Sequence, residues 1–134
     1  MIGLDTNVLV RYLVRDDPSQ TTVATGLIES RCTADDPGRV TLVVLCELVW
    51  VLDRGYGYAR SAIAEVLRRI LSASDLQAEQ PDLAWQALNL YERDKADFAD
   101  YVIGLCNRQS QVDVTYTFDR RAAGSDLFKV LPNR

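Results

Sequence analysis

Four carboxylates stand where apolar sequence meets a polar break. Asp5 interrupts IGLDTNVLVRYLV, Ile2 to Val14; Glu47 is the lone charge in VTLVVLCELVWVL, Val40 to Leu52; Asp100 lies in DKADFADYVIGL; Asp119 follows VTYTF and precedes Arg120 and Arg121. An unpartnered charge out of water costs several kcal/mol or more, so each acid needs a partner or a task. Four carboxylates drawn to one point repel one another, and a hard divalent cation relieves that repulsion. Mg²⁺ and Mn²⁺ take oxygen ligands and keep waters, so an Asp/Glu set without His or Cys suits them better than zinc. Such a metal lowers the pKa of a bound water and stabilises charge building on a phosphodiester.

The chain contains no histidine, which removes imidazole acid–base catalysis, Ser-His-Asp and Cys-His systems, and His-ligated zinc. The three cysteines, Cys32, Cys46 and Cys106, are odd in number and form no CxxC pair. Cys46 and Cys106 read as small core hydrophobes in a reducing compartment, and a disulfide framework is not expected.

Simpler readings stand beside the chemical one. Asp5 sits where a helix N-cap belongs, and Thr6 can fill the same role. Asp97 and Asp100 have the spacing of a capping box, favoured by the helix dipole. Asp119 reads equally well as a surface turn residue paired to a neighbour. Glu47 is different, because the residues three and four positions away, Val43, Val44, Trp50 and Val51, carry no charge. Arg54 is two turns on and too far to reach. Read as buried, Glu47 needs a distant cation, either a basic side chain or a metal, or else a raised pKa that keeps it neutral. An aspartyl-phosphate route suggested by LDT lacks its second Asp, since Asn7 stands there.

The elements that must position these acids alternate along the chain. The pattern predicts a buried strand at Ile2–Leu4 and a helix over Thr6–Val14 that stops before Pro18. A second helix, capped by Ser19, runs to about Cys32, and TADDPG, Thr33 to Gly38, is a loop. Val40–Val44 reads as a parallel strand flowing into a helix over Leu45–Leu52, which Gly55 and Gly57 end. Helices follow over Tyr58–Ser72, Pro81 to about Tyr91 and Phe98–Gln109, with strands at Asp75–Ala78, Val112–Phe118 and Leu127–Val130. This order predicts an α/β fold over residues 1–134 as one domain: a three-layer α/β/α sandwich on a central, mainly parallel sheet of 4–5 strands. Ligands bind beyond the carboxyl ends of such strands, which is where the four acids fall.

With 134 residues, 48% of them hydrophobic and 25% charged, the chain has apolar material for one core. Met1–Leu4 has no basic region and no stretch approaches a membrane span, so a soluble, cytoplasmic protein without membrane association is expected. A net charge of −4 is the reverse of a nucleic-acid binder's basic footprint. Four metal-neutralised acids would leave the remainder about neutral. Of the 15 basic residues all but Lys95 and Lys129 are Arg, the type suited to bidentate phosphate contacts. Arg11, Arg15, Arg54, Arg120 and Arg121 lie near the acidic motifs; most read individually as solvated surface.

Taken together, LDTNVLVRYL, CELVWVL, ADFADYVIGL and TYTFDRR resemble the PIN domain family, and within it the VapC-type toxins of toxin–antitoxin pairs, in order and across nearly the whole chain. The resemblance implies that Asp5, Glu47, Asp100 and Asp119 are metal-binding, catalytic acids. Thr6 and Asn7 then orient the carboxylates, Asp97 is an accessory acid, and Thr117 supports Asp119. It implies Mg²⁺ or Mn²⁺ as cofactor, endoribonuclease cleavage of structured cellular RNA, a small VapB-like antitoxin as partner, and a homodimer. Tyr101 and Gly104 depart from many relatives, which carry smaller or different helix residues there. Two other functions fit the same motifs: a PIN-fold nuclease with an RNA-processing or DNA substrate, and a non-catalytic PIN-like binding protein.

Overall fold

Proline and hydroxyl residues set the boundaries from which the fold is built. The structure, a computed structural model, describes residues 1–132 and divides into two compact units, Met1–Pro81 and residues from Asp82 on.

In the first unit α1 (Thr6–Val14) ends at Arg15, which takes a left-handed conformation with φ 61°. The next helix, α2 (Pro18–Arg31), is capped by Asp17 rather than the expected Ser19: its carboxylate accepts from Gln20 N–H at 3.0 Å. Proline is accommodated at the first helical position because that N–H has no partner to lose. Strand β1 (Gly38–Val40) pairs in parallel with β2 (Leu76–Ala78), Arg39 opposite Gln77. On its other side β1 is bridged by Gly3, with Leu4 N–H donating to Arg39 C=O at 3.0 Å and Arg39 N–H to Ile2 C=O at 2.7 Å. Three parallel segments therefore place the residues that follow them, Asp5, Thr41 and Glu79, at one edge.

The strand expected over Val40–Val44 is cut short. Thr41 Oγ1 accepts from Val44 N–H at 3.2 Å, and Glu79 Oε1 accepts from Leu42 N–H at 2.9 Å. These bonds satisfy the exposed donors of a helix start, so α3 (Leu42–Trp50) begins three residues earlier than the apolar pattern suggests. It continues into a π-helical turn, Val51–Gly55, before α4 (Arg60–Ser72). Leu9, Val10, Ile28, Leu45, Leu48, Leu52, Ile63, Leu67 and Val40 are buried in this unit, where α1 packs on α2 and α3. Cys32 is buried while Cys46 and Cys106 are partly exposed, which corrects the expectation that the latter two are the core thiols; none of the three forms a disulfide among the described residues. Their helices turn each of those two positions partly toward solvent, whereas Cys32 closes α2 against Gly38.

The second unit contains α5 (Pro81–Arg93, its first residue ending the first unit), α6 (Phe98–Gln109), β3 (Thr115–Thr117), a 3₁₀ turn at Arg120–Gly124 and β4 (Phe128–Val130). The two strands pair in parallel, Tyr116 opposite Lys129. Tyr91 and Phe98 meet edge to face at 6.1 Å, a preferred aromatic geometry. Gly104 allows α6 to approach β4: a Cβ there would lie 3.0 Å from the Phe128 ring and 3.1 Å from Leu127 Cβ. The expected α/β class with parallel strands is the one observed, though the strands are shorter than predicted and the chain is mostly helical. Among the described residues no helix is long and apolar enough to cross a membrane.

Candidate active site

In the first unit Asp5 ends the extended segment and sits at the N-cap of α1 with φ −81° and ψ 162°, yet its side chain makes no cap hydrogen bond. Its carboxylate is exposed. Thr6 does not cap either. It is buried inside the first turn, and its Oγ1 donates to Glu47 Oε1 across 41 residues. That bond brings the α3 carboxylate to the end of α1 where Asp5 stands.

Glu47 itself is exposed, not buried. Leu42, Leu45, Leu48 and Val49 face the core, while Val43, Glu47 and Trp50 form the outward stripe at helical spacing, with Val43 74% and Trp50 62% exposed. The distant partner that the sequence demanded is therefore a hydroxyl, and water supplies the solvation that a cation was expected to provide. Asn7 is exposed and lines a groove of about 350 Å³ between α1 and α2 with Val8, Arg11 and Val23.

In the second unit Asp97 and Asp100 form a capping box at the start of α6, with Asp100 accepting from Asp97 N–H at 3.2 Å. The turn before it is held by Tyr101, whose buried hydroxyl accepts from Ala96 N–H at 3.0 Å. Burial pushes the Asp100 carboxyl above its ordinary range, and the charges of Asp97 and Asp119 add to that, against the hydrogen bond from Asp97. Asp119, just past β3, accepts from Arg121 N–H at 2.9 Å, and its own N–H donates to Thr117 Oγ1 at 3.0 Å. The Arg121 guanidinium meets Asp119 through Nε at 3.0 Å and Nη2 at 2.7 Å, and reaches Asp97 at 3.4 and 3.5 Å. Those hydrogen bonds hold the Asp119 carboxyl below the usual carboxylate range, while Arg121 is pushed up.

The structure thus gathers Asp5, Thr6 and Glu47 in one unit, and Asp97, Asp100, Thr117 and Asp119 around Arg121 in the other. Other expected contacts lie elsewhere. Arg11 is engaged by Gln20 Oε1 at 2.6 Å, Asp16 at 3.0 Å and the Tyr56 hydroxyl at 3.1 Å. Arg15 lies over the Tyr12 ring at 5.9 Å, Arg54 is 3.7 Å from Asp53, and Arg120 is exposed at the start of the 3₁₀ turn. Among the described residues no three His, Cys, Asp or Glu side chains come close enough to hold a metal ion in this arrangement.

The donors nevertheless fit a hard cation by chemistry: every candidate is a carboxylate oxygen. A guanidinium already sits as the cation between Asp97 and Asp119. Two contributors escaped the sequence reading. Glu79 follows β2 at the same strand edge as Asp5 and caps α3; its position after a predicted strand was the available signal. The clasp made by Arg121 was signalled only by the Arg pair after Asp119.

Comparison with known proteins places these motifs in a wider set. The PIN domain family model matches residues 2–124. A VapC ribonuclease of Aquifex aeolicus (strain VF5) is 26% identical over 118 residues, which cover 88% of this chain and 87% of that protein. No solved structure matches the chain. With the family model spanning nearly the full length, the chain belongs to the PIN domain family.

Proposed function

We propose that this protein is a Mg²⁺- or Mn²⁺-dependent endoribonuclease and the toxin of a toxin–antitoxin pair, cleaving phosphodiester bonds in structured cellular RNA. The observation that carries this reading is the Thr6 to Glu47 hydrogen bond, which delivers an exposed carboxylate to the helix end occupied by Asp5, whose own carboxylate is not spent on capping. PIN domain membership and the likeness to a VapC ribonuclease support it.

Asp5, Glu47, Asp100 and Asp119 would hold the metal. A bound divalent cation supplies water activation and charge stabilisation at the phosphate. The chain's own residues do the positioning. Thr6 orients Glu47 through its hydroxyl, Thr117 fixes the turn that presents Asp119, and Asn7 lies on the exposed face of α1 next to Asp5. Arg15, Arg54 and Arg120 remain exposed for phosphate contacts, whereas Arg11 is held in its network with Asp16 and Tyr56. Val43 and Trp50, exposed on either side of Glu47, are the apolar surface on which a small antitoxin or a second copy of the chain would dock. The protein acts in the cytoplasm.

The test is to sequence RNA ends after brief induction of the wild type beside Asp5→Ala. New ends that appear only with the wild type are expected; identical ends in both would overturn the reading.

A further inference from the structure

Asp119 has no carboxylate oxygen left uncommitted. Oδ1 accepts from the Arg121 backbone N–H and from Nε, and Oδ2 accepts from Nη2. The same guanidinium turns its Nη1 and Nη2 edge to Asp97 at 3.5 and 3.4 Å. One side chain therefore neutralises an acid at the start of α6 and another just past β3, using the paired donors that make Arg a fork for carboxylates. Arg120, its neighbour, makes neither contact among the described residues. The Arg121 side chain is 53% exposed, so it can leave for solvent without opening the core.

We propose that Arg121 is the resident counter-ion of Asp97 and Asp119, and that a divalent cation binding at Asp119 must displace it. The inference rests on the metal-dependent reading above. A dication beside a guanidinium is repelled, and a carboxylate whose lone pairs accept three N–H bonds offers a poor ligand until some are released. Arg121 thus sets how much metal the protein needs. The clasp is partly exposed, so competition is modest, as for ion pairs in contact with water.

Mn²⁺ titrations by calorimetry on the whole protein test this without an activity readout. Arg121→Gln is expected to bind Mn²⁺ about fivefold more tightly than wild type. Arg120→Gln, which removes the same charge one residue away, is expected to stay within about twofold. Arg121→Lys keeps the charge but loses the fork, and is expected to fall between wild type and the Gln variant; it also serves if the Gln variant melts early. In the metal-free protein the Arg121 Nε–H NMR signal should be protected from exchange, with the protection lost on adding Mg²⁺. Equal or weaker Mn²⁺ binding by Arg121→Gln, or an equal gain in Arg120→Gln, overturns the proposal while leaving the metal site standing. No Mn²⁺ binding by any of these proteins overturns both.

Discussion

At the residue scale the informative group is the Thr6 hydroxyl, because a valine of the same shape removes it and little else. Thr6→Val is expected to lower the cleavage rate by about 10- to 100-fold, the usual cost of losing a partner that orients a metal-binding side chain. Stability should fall by no more than about 1 kcal/mol, since the exposed Glu47 regains water; cleavage at the wild-type rate would refute the role. Asp5→Asn is the complementary case. Its carboxylate makes no cap bond and Asn is as good at an N-cap, so Tm should be unchanged while cleavage is lost. The sequence left Asp5 divided between cap and ligand because both need the same residue at the same position. Only the direction of the side chain separates them. Glu47 misled for another reason: an apolar run says nothing about which helical positions face outward, and Val43 and Trp50 share its exposed stripe.

At the scale of elements, the order of helices and parallel strands was legible because hydrophobic period and turn residues are local. The start of α3 was not. It depends on Glu79, 37 residues beyond Leu42, and no window of sequence contains both. Glu79→Ala should cost about 1 kcal/mol in chemical denaturation, as loss of a helix cap does, while Glu79→Gln, which keeps an acceptor oxygen, should cost less. Tyr101→Phe probes the corresponding start of α6. Removing the hydroxyl takes away an acceptor for the buried Ala96 N–H, and about 1–2 kcal/mol of stability should go with it. A wild-type denaturation midpoint in that variant would show that the Tyr101 bond does not hold the turn.

Over the whole molecule, pH acts through the Arg11–Asp16–Tyr56 network as well as through the acidic motifs. The hydrogen bond from Tyr56, with Arg11 behind it, holds the Asp16 carboxyl below its usual 3.8, and the same bond to Asp16 pushes Tyr56 above 10.0. A depressed acid contributes stability above its unfolded pKa and loses it as pH falls through the folded value; a raised phenol contributes below its unfolded pKa and loses it as pH rises. Tyr56→Phe should therefore melt below wild type between about pH 4 and 10, with the two curves converging outside that window. Mn²⁺ should raise Tm of the wild type and not of Asp5→Asn, since a ligand stabilises the state that binds it.

Cys32 gives the chain a probe of its own opening. Its thiol is 4% exposed, closes α2 against Gly38, and is pushed up by burial and by the nearby Asp75 and Asp36 carboxylates. Reactive thiolate there is both shielded and scarce. A disulfide reagent should label Cys46 and Cys106 in a fast phase and Cys32 in a slow one, and the slow rate then clocks how often the first unit comes apart.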